Sequence, residues 1–415
     1  MSEANLMNVD LIPSLKGPPD AMFAQWREQD PVHWNPPPSP GSYDSRQPGS
    51  SVEKGFWVLT RYADVSEVSR DQKRFSSHEG GPVIWDFNGE ALERQRASLM
   101  GMPPERHMQF KRLIVPAFAP RMLEAFEPAV AAAAREIVDA VAPRGGCEFI
   151  MDVASRLPVY TFCSILGVPA EDRDLIFRLG NAIADVEGQG AEQPEHFTEL
   201  FAYADKLGEA KRRNPDASMM SMAVNGTVDG DGLSRDEVAM FFVVMSIAGH
   251  ETTRTTAAHF IRLMNEHPDQ YAMIRSDPGK YLPNAIDEVL RFAPPVINFR
   301  RTAMLDAELG GTPIRKGDKI YLSYPAANRD PAVFEDPDRF DILRPNAQRH
   351  LSFGVGPHMC LGARLARTQL LLLLEQIVTR IPDIRISAEP VYLPSIWFNA
   401  IMKMPVEFTP ERHSR

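Results

Sequence analysis

One long helix pattern in the middle of the chain limits the fold more than any other feature. Ser234 is a helix N-cap residue, and Glu237 three residues on completes a capping box. Apolar spacing then runs from Arg235 to about Asn265 and stops before Pro268. At ~1.5 Å per residue this is roughly 45 Å of helix, enough to cross a large domain. In the middle of this central rod sits Ala248-Gly249-His250-Glu251-Thr252-Thr253. A glycine and paired threonines weaken a helix locally, so a kink or bulge is expected there.

Around the rod the spacing is again mostly helical. It predicts helices over 62–74, from the Pro103-Pro104 pair onward, and over 122–141, 151–166, 175–185, 196–213, 280–292 and 360–380. Residues 188–195 between two of these read as loop. Strands are expected at 55–60, 296–302 and 319–323, the last after the turn Arg315-Lys316-Gly317-Asp318. The fold class is mainly α with a small β-rich region. Hydrophobic residues are 44% and charged residues 24% of the 415, so one large core is possible. No composition break divides the chain, and residues 1–415 read as one unit. Residues 1–18 and the proline-rich stretch 36–50 read as loop-like.

Several function classes fall away. No run of roughly 18 apolar residues occurs, so no membrane span is expected. The first residues lack the basic start and apolar block of a signal peptide, so a cytoplasmic location is expected. Three cysteines, Cys147, Cys163 and Cys360, make no disulfide framework. A net charge of −10 argues against nucleic acid as a partner. Nothing marks a large obligate interface, so a monomer is expected.

The chemistry concentrates in Phe353-Gly354-Val355-Gly356-Pro357-His358-Met359-Cys360-Leu361-Gly362. A glycine-rich loop delivers one cysteine to the first turn of a helix. Free backbone N–H groups and the helix dipole favour a thiolate there. Gly354 and Gly356 let the loop approach a flat partner, and Gly362 removes a side chain where that partner packs. Such a thiolate can be the axial ligand of haem iron. A lone cysteine before an apolar helix is more often a core thiol. The surrounding pattern decides against that reading.

The segment resembles the haem-binding signature of the cytochrome P450 family, Phe-x-x-Gly-x-His/Arg-x-Cys-x-Gly. Three further segments resemble that family in the same order. Ala248 to Thr253 is similar to its oxygen-activation motif, and Glu288-Val289-Leu290-Arg291 to its Glu-x-x-Arg pair. Residues 327–331 and 336–340 are similar to its meander. The look is that of bacterial enzymes acting on steroids, terpenoids and fatty chains.

The resemblance implies a haem b cofactor with Cys360 as axial iron ligand. It implies that Glu251 and Thr252 relay protons toward dioxygen, with Ala248 and Gly249 at the haem face. His250 is expected to point away from it. It nominates His107, Lys111, Arg301 and His358 for the haem propionates, and Phe353, Gly356 and Gly362 for the haem face of the loop. Lys111 departs from the arginine usual in relatives, so Arg112 beside it is an alternative propionate partner. Glu288 and Arg291 are implied to join Arg339 in a buried structural network. The pocket is implied to be lined by Val244, Ile247, Val296, Ile297, Ile396 and Trp397. Trp85, Phe87, Met100 and Met102 belong to the stretch that covers the pocket in relatives.

The reaction implied is insertion of one oxygen atom into a hydrophobic small molecule. The chain lacks a dinucleotide fingerprint after a strand, so electrons are expected from a ferredoxin and its flavoprotein reductase. Arg112, Arg364 and Arg367 are the implied docking residues. A haem sensor could share the thiolate loop, but it needs no acid–alcohol pair. A peroxide-driven enzyme is the other alternative.

Overall fold

The computed structural model describes residues 5–8, 11, 16–38, 50–52, 54–189, 194–227 and 230–411. Most of the 36–50 stretch and residues 190–193 of the expected 188–195 loop lie outside these. The central rod is present as Arg235–Glu266. Its capping box is complete, with Ser234 Oγ accepting from the Glu237 N–H and Glu237 accepting from the Ser234 N–H. The expected interruption does not break it. Thr252 Oγ1 donates to the Ala248 carbonyl at 2.7 Å and Thr256 Oγ1 to the Thr252 carbonyl at 2.8 Å. The hydroxyls thus bond back along the ladder, and the helix runs on.

Two apolar clusters flank the rod because its two halves bury different stripes. Toward the C-terminus, Ala257, Phe260, Ile261 and Met264 pack with Ile286 and Val289 of Pro278–Phe292 and with Leu373, Leu374 and Ile377 of Ala363–Arg380. Toward the N-terminus, Phe241 and Phe242 pack with Phe162 of Arg156–Leu166, Leu200 of Pro194–Arg213, and Phe110 of Pro104–Ile114. Gly167 ends its helix at φ 74°, where a side chain is strained.

A five-stranded sheet stands beside the helices. Its spatial order is Val32–Asn35, Phe56–Leu59, Lys319–Ser323, Asn298–Ala303 and Phe75–Ser76. Only the pairing of Phe56–Leu59 with Lys319–Ser323 is parallel. Lys319–Ser323 is buried throughout, as a central strand should be. The helix Asp20–Gln29 and the strand Val32–Asn35 were not legible in the spacing.

The buried charge network differs from expectation in one member. Arg291 donates two bonds to Glu288, at 2.7 and 2.8 Å, and both side chains are fully buried. The second arginine on Glu288 is Arg344, at 3.2 Å, not Arg339. The Arg339 guanidinium is exposed and pairs with Asp341, while its backbone carbonyl accepts from Arg291 and Arg344. The meander therefore reaches the pair through a main-chain oxygen and a later side chain.

Candidate functional site

The cysteine loop is closed by its own backbone. Gly354 N–H donates to the Leu351 carbonyl, Met359 N–H to that of Gly356, and Cys360 N–H to that of Phe353, at 2.7, 3.0 and 2.8 Å. Gly356 has φ 80°, and a Cβ there would lie 2.8 Å from the Ser69 carbonyl oxygen. Glycine is required on both counts. At Gly362 the nearest atoms to a Cβ would be Cys360 Sγ at 3.9 Å and Phe118 at 4.0 Å. The chain's own packing does not demand glycine there.

The loop presents Cys360 as an accessible thiol just before Ala363–Arg380. Protein still surrounds it closely, and burial pushes the thiol up. The Gly362 N–H, Arg367 and Lys111 pull the other way. Burial drives Cys147 and Cys163 up to about 12, with Arg144 pulling the first and Arg173 the second the other way.

Basic groups gather beside the loop. The His107 and His358 rings lie 4.2 Å apart, and Ser77 Oγ is 3.2 Å from His358 Nε2. Lys111 Nζ donates to the Pro357 carbonyl at 2.7 Å. Arg301 is buried, and its Nη1 donates to the Arg300 carbonyl at 2.8 Å. Burial, then Lys111 and Arg301, hold His107 down at about 4. Burial, then Arg301, His107 and Lys111, hold His358 down at about 2. Among the described residues, no carboxylate ion-pairs with any of the four. Lys111 and Arg301 are thus the cluster's cations, with two neutral imidazoles beside them, and sheltered cations without an acid are costly, so the cluster suits an anionic guest. Lys111, not the exposed Arg112, stands in it.

The central helix turns two unlike faces outward at mid-length. Val244, Ala248 and Thr252, four residues apart, stay accessible while most of the surrounding helix is buried. On the buried side, Glu251 forms an ion pair with Arg254 and accepts from Thr255 Oγ1 at 3.1 Å. Arg254 Nη1 donates to Asn181 Oδ1 of Arg173–Gln189 at 3.1 Å. Glu251 is thus held by Arg254 on the side away from Thr252. Sequence reasoning missed Arg254, although the i, i+3 spacing was visible. His250 is buried and packs against Gly180 of the neighbouring helix, as expected. Gly249 lies near Phe162.

The expected pocket residues divide. Ile247 and Trp397 pack with Val296, Leu393 and Phe398. The Trp85 and Trp397 rings meet edge to face at 5.8 Å. Phe87 and Met100 are half-buried. Ile297 and Ile396 stand apart from that group: both are buried with Phe56, Tyr321 and Ile84. Successive residues of an extended segment face opposite ways, so Val296 and Ile297 cannot share a wall. Met102 is also core. Among the expected docking arginines, Arg112 is exposed and Arg364 is an exposed partner of Glu124 at 3.3 Å. Arg367 is engaged elsewhere. It pairs with Asp287 at 2.7 Å and lies 4.6 Å over the Phe353 ring.

Residues 195–381 match the Cytochrome P450 family model. A Steroid C26-monooxygenase of Mycolicibacterium smegmatis is 35% identical over 409 residues, covering 97% of this chain and 93% of that protein. Linalool 8-monooxygenase of Pseudomonas putida is 31% identical, covering 96% and 99%. A Mycobacterium marinum cytochrome P450 solved in complex with pseudoionone superposes with a TM-score of 0.88 at 33% identity, over 97% and 98% of the two chains. The chain belongs to the cytochrome P450 family. It is a monooxygenase of that family, and the family's cofactor is haem b.

The residues present fit that group. An accessible thiol stands at a helix start, a glycine beside it answers to no protein neighbour, and an acid-free basic cluster suits two carboxylates.

Proposed function

We propose that this protein hydroxylates a hydrophobic small molecule of the steroid, terpenoid or fatty-chain type, with electrons from an external ferredoxin and flavoprotein reductase. The observation that carries the reading is the pairing of one accessible cysteine loop with an acid-free basic cluster. The family relatives named for steroid and linalool oxidation support the substrate type. So does the apolar group formed by Ile247, Val296 and Phe398. The reading takes residues 1–415 as one haem domain, monomeric and cytoplasmic. No helix among the described residues is long and apolar enough to cross a membrane.

In the mechanism, Cys360 Sγ would hold the iron, and His107, Lys111, Arg301 and His358 would hold the propionates. Phe353 and Gly356 shape the thiolate loop, and Gly362 leaves room for the ring. When bound, haem supplies the reductive activation of dioxygen, and the thiolate favours O–O cleavage. Ala248 and Gly249 leave the central helix thin beside the reacting centre. Thr252 Oγ1 donates a hydrogen bond to the Ala248 carbonyl at rest, which leaves its lone pairs able to accept from the site, and it serves as a donor there once it turns. Glu251 supplies protons after leaving Arg254, or through water between the two faces. Ile247, Val296 and Trp397 exclude bulk water and orient the substrate.

The test is turnover of the holoenzyme with NADH, a surrogate ferredoxin and its reductase, against linalool, testosterone and a hexadecenoic acid. Oxygenated product that requires dioxygen and electrons is expected. Product formed only with added peroxide would overturn the reading in favour of a peroxide-driven enzyme.

A further inference from the structure

We propose that Arg300 is a positioning residue that sets which substrates fit, by clamping the segment of residues 80–86 over the pocket. The inference rests on the pocket reading above and adds a specificity-determining residue to it. Segment 80–85 has no regular secondary structure, so its polar backbone groups must find partners elsewhere. Two of those groups, the Pro82 and Trp85 carbonyls, find theirs in one residue. Arg300 N–H donates to the Pro82 carbonyl at 2.7 Å, and Nη1 donates to the Trp85 carbonyl at 3.1 Å. Nη1 also reaches Asp86 Oδ1 at 3.0 Å, while Lys319 Nζ holds Asp86 Oδ2 at 2.7 Å. The guanidinium fills the space beside Gly80, where a Cβ would fall 1.9 Å from Nη2.

The clamp leads directly to the pocket wall. Trp85 meets Trp397 edge to face, and Trp397 packs with Val296 and Ile247. Ile247 lies on the central helix one turn and a residue before Thr252. Moving residues 80–86 by a fraction of a side chain therefore moves the Trp85–Trp397 wall. The other half of the argument is the strand. Arg300 and Arg301 are consecutive in Asn298–Ala303, so their side chains point to opposite faces. Arg301 joins the basic cluster, and Arg300 takes the covering segment. One dipeptide ties the cover to the edge where the cofactor's acids are expected. Arg300 touches neither substrate nor cofactor in this account and acts through Trp85.

The experiment titrates the spin-state absorbance shift of the holoenzyme with linalool, pseudoionone and testosterone. Arg300→Met removes the guanidinium and keeps an unbranched apolar side chain, while Arg300→Lys keeps the charge. Arg300→Met should change the ratio of testosterone to linalool affinity about tenfold in favour of the bulkier ligand, the order of one charge-assisted hydrogen bond. The carbon monoxide spectrum should be unchanged, and Arg300→Lys should restore part of the ratio. A merely structural role would lower haem content or stability without altering the ratio. A folded, haem-loaded Arg300→Met enzyme with an unchanged ratio overturns the proposal. Should that variant fail to fold, Gly80→Ala and Asp86→Asn perturb the same clamp from the other side, and an unchanged ratio in both overturns it. Unaltered enzyme that binds haem but shows no shift with any of the three ligands would instead overturn the pocket reading itself.

Discussion

At the scale of single residues, Thr252 and Glu251 are neighbours in sequence but face different surroundings. The hydroxyl lies on the accessible face, and the carboxylate is paired with Arg254 in the buried one. Thr252→Ala should cut product formed per NADH about tenfold, less than the roughly hundredfold or more of a fully lost proton donor because Glu251 and water remain, and release the difference as hydrogen peroxide. Simultaneous assay of NADH, product and peroxide checks this, and unchanged coupling would show that the hydroxyl is dispensable. A second residue reports on pH. His259 Nε2 lies 2.6 Å from the Asn399 carbonyl and must donate to it, while Nδ1 accepts from Arg262 Nε at 3.1 Å. The neutral ring is fully satisfied, and burial, aided by Arg262, holds it down at about 3. As pH falls below the ordinary histidine value, the unfolded chain gains a proton that the folded chain refuses. Stability therefore drops as pH falls from about 6.5 toward about 3, by about 2 kcal/mol at pH 5 from this ring alone. Thermal unfolding at about pH 7 and pH 5 should show a flatter slope in His259→Gln. An unchanged slope would contradict the assignment.

At the scale of elements, legibility followed how local the cause was. The capping box at Ser234 and Glu237, the strand at 319–323 and the loop before Cys360 are set by neighbours in sequence, and all three stand where the spacing puts them. The helix expected at 360–380 begins later, at Ala363, because Cys360 to Gly362 still belong to the loop. Long-range choices were not legible. Whether Arg339 or Arg344 reaches Glu288 depends on how the meander folds back, and sequence order favours neither. The structure makes the two distinguishable by experiment. Arg344→Met removes a buried donor from Glu288 and from the carbonyls of Glu335, Asp336 and Arg339, and should cost about 3 kcal/mol in thermal unfolding. Arg339→Met removes an exposed side chain and should stay within about 0.5 kcal/mol. The reverse order would restore the original expectation. Ile297 and Ile396 differed for a related reason: hydrophobicity marks burial, but only the tertiary packing decides whether a buried residue joins the cluster of Val296 and Trp397 or the one around Phe56 and Tyr321.

At the scale of the whole molecule, a net charge of −10 coexists with a cationic corner near the cysteine loop. Arg112 stands exposed there, next to Lys111, which reaches the Pro357 carbonyl of the loop itself. An acidic ferredoxin would meet this corner rather than the average charge. Arg112→Glu should lower ferredoxin-driven kcat/KM about tenfold at low salt, with the difference shrinking as ionic strength rises. A salt-independent effect, or none, would remove Arg112 from the docking surface. Arg364 is tied to Glu124 and should matter less, and Arg367 is tied to Asp287 and Phe353 and should act on the loop instead. The central claim, however, is that Cys360 holds haem iron as a thiolate. Its most direct test is the carbon monoxide difference spectrum of the reduced protein, recorded beside Cys360→Ser. The account predicts a far red-shifted Soret band in the unaltered protein and its loss in a folded Cys360→Ser. A band at the position typical of histidine ligation, or one that survives the substitution, would contradict it.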